Sequence, residues 1–341
     1  MFILKAGFPC QDPVNPYSDL PHHMTRRKLG KTDLEVSILG FGASPLGNVF
    51  GEADPGEGIR AVNLAIDEGV NFFDVSPYYG LTLAETRLGE ALAGRRQSIC
   101  LATKCGRYGS QDFDFSAPRI RQGLEESLTR LRTDYVDLLF AHDVEFGNAE
   151  QIIEETIPAM RRLQEEGKTR YIGISGYPPG FLLHIAQAVP VDAILNYCHY
   201  NLLANDMDRQ LAPFAQERGI GLINASPLHM GILPGQGAPE WHPAPLAVRN
   251  AARKAHELCR SQGANLPDIA LRFCLDYPNA ATTLVGMSTA QEVSRNVSAL
   301  AGGPPPELLK RIEAVLAPVH NTVWISGRAE NNLPGDQIQG R

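Results

Sequence analysis

Three stretches of the 341-residue sequence carry side chains able to move protons. NFFDVSPYYG (71–80) runs from an apolar start into Asp74, Tyr78 and Tyr79; ICLATK (99–104) ends in Lys104; YVDLLFAHD (135–143) ends in His142 and Asp143. A free phenol has a pKa near 10, so only about a thousandth is ionised at neutral pH. A lysine ammonium beside Tyr79 favours the phenolate, and a buried Asp74 keeps Lys104 charged and fixed. Such a tyrosine serves as general base toward an alcohol or general acid toward a carbonyl. The His142 imidazole alongside can orient the substrate oxygen and share its proton. None of these groups accepts hydride, so a redox step requires a cofactor. An aspartate–lysine pair taken alone is most often structural; joint placement is what gives it chemical meaning.

The elements that must bring these residues together are short β-rich runs alternating with longer amphipathic stretches, the pattern of parallel strands joined by crossover helices. Strands are expected at 37–43, 71–75, 99–104, 135–141, 170–175, 193–197, 221–226 and 282–286. Helices are expected at 58–69, at 118–131 with Ser116 as N-cap, and at 152–167, where Pro158 predicts a kink or break. Eight strand–helix units favour a closed (β/α)8 TIM barrel, an α/β fold, with an open doubly wound sheet as the alternative. Residues 26–38 read as an N-terminal hairpin closing the barrel floor. A long loop at 227–248 and a C-terminal tail from about 317 complete the chain. The expected organisation is an N-terminal extension over 1–23, a barrel domain over 24–317 and a tail over 318–341. In a barrel the chemistry sits at the C-terminal ends of the strands. The predicted ends supply Asp74, Lys104, Cys105, His142, Asp143, Ser175, Asn196, Tyr197, His199, Asn224 and Ser226.

A formal charge of −7 with scattered basic residues gives no support for a nucleic-acid partner. No run approaches a membrane span, so no membrane partner is expected. The six cysteines form no C-x-x-C pair, which points to free thiols in a reducing cytoplasm and to no metal site. Cys105 reads as a buried, inert thiol. The first 23 residues make a poor signal peptide.

The motifs DVSPYYG, ATKCG, LLFAHD, GISGYP and ASPLHMGIL resemble those of the aldo-keto reductases, barrel enzymes with a nicotinamide cofactor and an Asp–Tyr–Lys–His tetrad. The likeness runs from about residue 26 to 300. It implies Tyr79 as the proton donor or acceptor, because the family's tyrosine stands five residues after its aspartate and directly before glycine. It implies Asp74 and Lys104 as the groups that tune Tyr79, and His142 as the group that positions the substrate oxygen. GFGASPLGNVFG, HDVEFG and PEWHPA resemble the branch that oxidises C1 of an aldose such as L-galactose or L-fucose to a lactone with NAD. The family also contains NADPH-dependent aldehyde and ketone reductases and redox-sensing regulatory subunits.

The resemblance implies a cofactor held by Ser175, Tyr197, Ser226, Leu228, Gly231, Leu233, Gly286, Ser288, Glu292 and Asn296. Phosphate near the start of the last helix would gain from its free N–H groups. Relatives that prefer NADP carry basic residues there, whereas this chain has Met287, Thr289 and Glu292, which implies NAD. Three positions depart from the family pattern: Gly176 stands in place of asparagine, Tyr197 in place of glutamine, and Ala225 in place of an aromatic residue. A sugar substrate suits an aromatic wall with fixed polar groups, for which Phe50, Tyr78, His199, Trp241 and His242 are the candidates.

Overall fold

The structure is a computed structural model that describes residues 24–235 and 242–333. Residues 1–23, Trp241 and the end of the tail lie outside the described residues. The parallel strands β3 (Leu39–Gly42), β4 (Phe72–Asp74), β5 (Cys100–Cys105), β6 (Val136–Ala141), β7 (Thr169–Gly176), β8 (Ala193–Tyr197), β9 (Gly221–Ala225) and β10 (Thr282–Gly286) close into a barrel. β10 pairs with β3 to seal the ring. All eight expected barrel strands are present, and the open sheet is excluded.

The antiparallel hairpin is also present, as β1 (Arg26–Lys28) and β2 (Glu35–Ser37). The expected run 37–43 splits at Ile38. Around the split, Ser37 N–H donates to Asn71 Oδ1 (2.6 Å) and Ser37 Oγ donates to Leu39 O (2.7 Å), while Ile38 bonds Thr25 O through its N–H and accepts from Thr283 N, so the chain passes from hairpin to barrel at that residue. Leu29, Leu34 and Val36 of the hairpin pack with Phe72, Ala102, Leu138, Phe140, Ala193, Leu195 and Ile223. The hairpin therefore covers one end of the barrel and leaves the strand C-termini at the other.

Strand side chains alternate between two surroundings. Phe72, Ala102, Leu138 and Phe140 lie in the inner cluster, while Phe73, Leu101 and Leu139 join the outer cluster beneath the helices. Asp74, Lys104 and His142 continue the inward series 72–74, 102–104 and 138–140–142. Thr103 points the other way: its hydroxyl donates to the buried Glu85 (2.6 Å), whose second oxygen accepts from Arg130 Nε (2.7 Å). That network ties β5 to the helices Leu83–Ala91 and Ala117–Leu131 and fixes the strand that carries Lys104.

The helices follow their sequence signals with small shifts. Pro55–Asp67 starts on Asp54, whose carboxylate accepts from Glu57 N–H. Ser116 stands at the N-cap of Ala117–Leu131 without a side-chain cap bond. Pro158 has no N–H to continue an α ladder. The chain answers with a π turn over Ile152–Thr156 that places Ile157 N–H on Ile152 O, then an α-helix over Ile157–Glu165. Beyond the helix Pro306–Leu316, the described part of the tail returns to the C-terminal mouth. Val323 is buried there, and Trp324 stacks on Tyr177 with ring centroids 4.5 Å apart.

Gly80, directly after Tyr79, sits at φ +62°, and a Cβ there would collide with the backbone of Gly47. Gly80→Ala should lower the unfolding free energy by about 2 kcal/mol, from left-handed strain plus steric displacement. Urea denaturation measures this; an unchanged midpoint would contradict the close approach.

Candidate active site

The barrel mouth brings Asp74, Tyr79, Lys104 and His142 together. Each follows from the strand ladder. Ala43 N–H bonds Asp74 O (2.9 Å), Val75 N–H bonds Ala102 O (3.0 Å), and His142 N–H bonds Cys105 O (2.8 Å), so the sheet pattern continues past the strand ends. Lys104 Nζ is ion-paired with Asp74 Oδ1 and donates to Val75 O at 2.9 Å, with only 1% of the lysine exposed. The same ammonium lies 4.9 Å from the centroid of the Tyr79 ring. Tyr79 and His142 meet edge to face at 5.8 Å and 90°.

The electrostatics refine the expected tuning of Tyr79. Loss of hydration raises its pKa, and the carboxylates of Asp74 and Asp143 push it further up, well above the ordinary phenol value. Lys104 spends its short contacts on Asp74 and Val75 rather than on the phenol oxygen, so at rest Tyr79 is a neutral phenol. Burial lowers the His142 pKa well below its usual value, and the cations of Lys104 and Arg107 act in the same direction. His142 is therefore a neutral imidazole. Its Nδ1 stands 3.0 Å from Ser76 Oγ and its Nε2 3.5 Å from Asp143 Oδ2.

Arg107 extends the site on one side. Its guanidinium pairs with Asp143 and lies 3.7 Å from the Tyr78 ring centroid, with the Phe113 and Phe146 rings at 5.1 and 5.4 Å. Tyr78 thus occupies the wall of the mouth beside the tetrad. Of the other candidates for that wall, Phe50 is largely exposed on the loop after β3. His199 and His242 are buried in a second row: His199 packs against Tyr177 at 4.4 Å, and His242 bonds His229 O at 3.1 Å beneath Trp324. Burial also pushes the Cys105 thiol far up, consistent with an inert cysteine.

The opposite side of the mouth carries the residues expected to hold a cofactor. Ser175 and Tyr197 end β7 and β8, and Asn196 between them leaves a buried amide oxygen without a hydrogen-bond partner. Ser226 (φ +60°) opens a tight turn in which Leu228 O accepts from the N–H groups of Gly231 and Leu233. The Leu233 side chain is fully buried with Leu202, Ile232 and Val248 rather than facing the mouth. Gly286 and the half-buried Ser288 and Asn296 follow at β10 and its helix. A nicotinamide carboxamide, which needs both donors and acceptors, fits this set of hydroxyls and an unmatched amide oxygen.

One expectation is corrected. At the start of the helix Ala290–Ser298 the N–H groups of Ser288, Thr289, Ala290 and Glu292 are not free. Glu292 Oε2 accepts from Ser288 N (2.8 Å) and Thr289 N (3.0 Å), and Glu57 Oε1 accepts from Ala290 N (3.0 Å). Two carboxylates occupy the place where a phosphate would gain most.

Four residues absent from the sequence candidates complete the site: Ser76, Arg107, Glu145 and Trp324. Glu145 explains the departure at Gly176, because any side chain there would collide with its carboxylate. Burial first, and then Asp143, raises the Glu145 pKa to about 8. Its Oε1 accepts from Ser326 Oγ (2.9 Å) and Tyr177 N (3.1 Å), while its backbone oxygen accepts from Arg328 N (2.9 Å) and Asn331 Nδ2 (2.8 Å). Glu145 thus holds the tail at three residues, and the stacking of Trp324 on Tyr177 holds it at a fourth. The sequence signal for Trp324 was its presence in a tail whose other large apolar groups are few.

The Aldo/keto reductase family model matches residues 38–317. L-galactose dehydrogenase of Arabidopsis thaliana is 46% identical over 316 residues, covering 89% of this chain and 98% of that one. D-arabinose 1-dehydrogenase of Saccharomyces cerevisiae is 31% identical over 79% of this chain and 85% of its own. Among solved structures, the holo form of aldo-keto reductase AKR11C1 from Bacillus halodurans superposes with a TM-score of 0.74 at 29% identity, over 91% of this chain and all of the other. A closed eight-stranded barrel, the tetrad gathered at its mouth and a match spanning most of the sequence together make this chain a member of the aldo/keto reductase family.

Proposed function

We propose that the chain is an NAD-dependent aldose 1-dehydrogenase that oxidises C1 of L-galactose, or of a related sugar such as L-fucose, to the lactone. The observation that carries this reading is the convergence of Tyr79 and His142 over the Lys104–Asp74 pair. It occurs in a chain nearly half identical to an L-galactose dehydrogenase along most of its length.

The residues divide the work as follows. A bound nicotinamide dinucleotide supplies the acceptor for the hydrogen and two electrons that leave C1. Tyr79 takes the C1 hydroxyl proton, and His142, held neutral, hydrogen-bonds the same oxygen as its negative charge grows. C1 becomes a carbonyl while its bond to the ring oxygen remains, which gives the lactone directly. Lys104, whose ammonium lies 4.9 Å from the centre of the Tyr79 ring, favours the phenolate as it forms, with Asp74 fixing the lysine. Tyr78, stacked under Arg107, offers an apolar face and a polar edge to the sugar. Ser175, Asn196 and Tyr197 would hold the carboxamide end of the cofactor.

Support for NAD comes from charge at the last helix. An added 2′-phosphate near Glu57 and Glu292 would meet two carboxylates and N–H groups already engaged. The kcat/KM for NAD should exceed that for NADP by at least about tenfold, or 1.4 kcal/mol. Initial rates with both cofactors measure this, and a preference for NADP would overturn it.

Tyr79 yields a second prediction. Because its pKa is raised, the phenolate is scarce at neutral pH, and oxidation should accelerate as pH rises through the alkaline range. Tyr79→Phe should abolish turnover at every pH while cofactor binding, followed by fluorescence quenching, persists. Residual wild-type turnover in that variant would remove Tyr79 from the role.

A further inference from the structure

We propose that Ser76 is a positioning residue that fixes which nitrogen of His142 carries the proton, leaving Nε2–H aimed at the substrate oxygen. Ser76 is fully buried two residues after Asp74, continuing the inward series of β4. Its oxygen accepts the N–H of Tyr78 at 3.1 Å and lies 3.0 Å from His142 Nδ1.

Two arrangements of protons fit those distances, and only one satisfies every group. If Nδ1 carried the proton and donated to Ser76, the serine oxygen would accept two hydrogen bonds and its own O–H would have to find another acceptor. Among the described residues the Ser76 hydroxyl has no other hydrogen-bond partner, so a buried hydroxyl proton would be stranded, which is costly. With Nδ1 unprotonated, Ser76 accepts from Tyr78 and donates to His142, and both of its roles are filled.

The consequence appears at the other nitrogen. A neutral imidazole with a bare Nδ1 carries its hydrogen on Nε2. Asp143 Oδ2 is 3.5 Å away, longer than an ordinary hydrogen bond, and Asp143 is already paired with Arg107. The Nε2–H therefore remains available at the mouth, beside Tyr79. In this form His142 stabilises an oxygen that is losing its proton. The opposite tautomer would present a lone pair to that oxygen and compete with Tyr79 for the proton. The catalytic consequence rests on the reading of Tyr79 and His142 proposed above; the tautomer itself does not.

The test uses 15N-histidine-labelled full-length protein at neutral pH, with His142 assigned by comparison with a His142→Asn variant. In the wild type, long-range 1H–15N correlations should show an unprotonated, pyridine-type Nδ1 and a protonated Nε2. Ser76→Ala should move the His142 signals toward a mixture of tautomers and lower kcat by at least about tenfold. NAD affinity and the thermal midpoint should stay near the wild-type values. Ser76→Thr, which keeps the hydroxyl, should restore both the spectrum and the rate. A protonated Nδ1 in the wild type would overturn the proposal, as would Ser76→Ala with unchanged spectrum and kcat. If Ser76→Ala does not fold, the wild-type and Ser76→Thr spectra still decide. If no sugar is oxidised, the proposed activity fails while the tautomer is read independently.

Discussion

The buried ion pair between Lys104 and Asp74 is the interaction on which the mouth of this barrel depends. Removing either partner would leave an uncompensated charge in the core, a loss of about 3–5 kcal/mol. Burial is the main reason the neighbouring His142 and Tyr79 rest uncharged, and the pair adds to it in opposite ways. The Lys104 charge helps keep His142 neutral, and the Asp74 carboxylate helps keep Tyr79 protonated at rest. Burial, reinforced by one cation and one anion, thus holds an acid–base couple in uncharged forms, ready for a charge that develops only during reaction.

The two halves of the mouth are built differently. Tyr79, Lys104 and His142 stand on or directly after β4–β6, where the strand ladder and the Thr103–Glu85–Arg130 network fix them from behind. The half over β7–β10 is made of turns, aromatic packing and the returning tail. There Glu145 gathers the backbone of Arg328 and the side chains of Ser326 and Asn331, and Trp324 closes over Tyr177. A fixed proton-transfer half facing a half closed by loops suits a site that must position one group while admitting and releasing another.

Much of this was legible in the sequence because strand periodicity carries it. Once β4, β5 and β6 are placed, the period of two sends Asp74, Lys104 and His142 inward. The same series reaches Ser76, yet a serine before proline also reads as an ordinary turn residue, and only its distance to His142 separates the two. Glu145 and Trp324 were not legible, because they meet through contacts such as Ser326 to Glu145, 181 residues apart in the chain. His199 and His242 were expected in the pocket wall, but Tyr177 and Trp324 cover them. Thr289-x-x-Glu292 is a capping-box spacing, and the carboxylate serves the helix before any ribose.

The central claim is that Tyr79 takes the proton of the C1 hydroxyl of a cyclic sugar while hydride leaves C1 for a bound nicotinamide. The most direct measurement is NAD reduction over L-galactose, L-fucose, D-arabinose, L-glucose and D-galactose, with the lactone quantified in the same reaction. The account predicts fastest reduction with L-galactose or L-fucose, and one lactone formed for each NAD reduced. No NAD reduction with any of the five, alongside NADPH consumption with simple aldehydes, would contradict it.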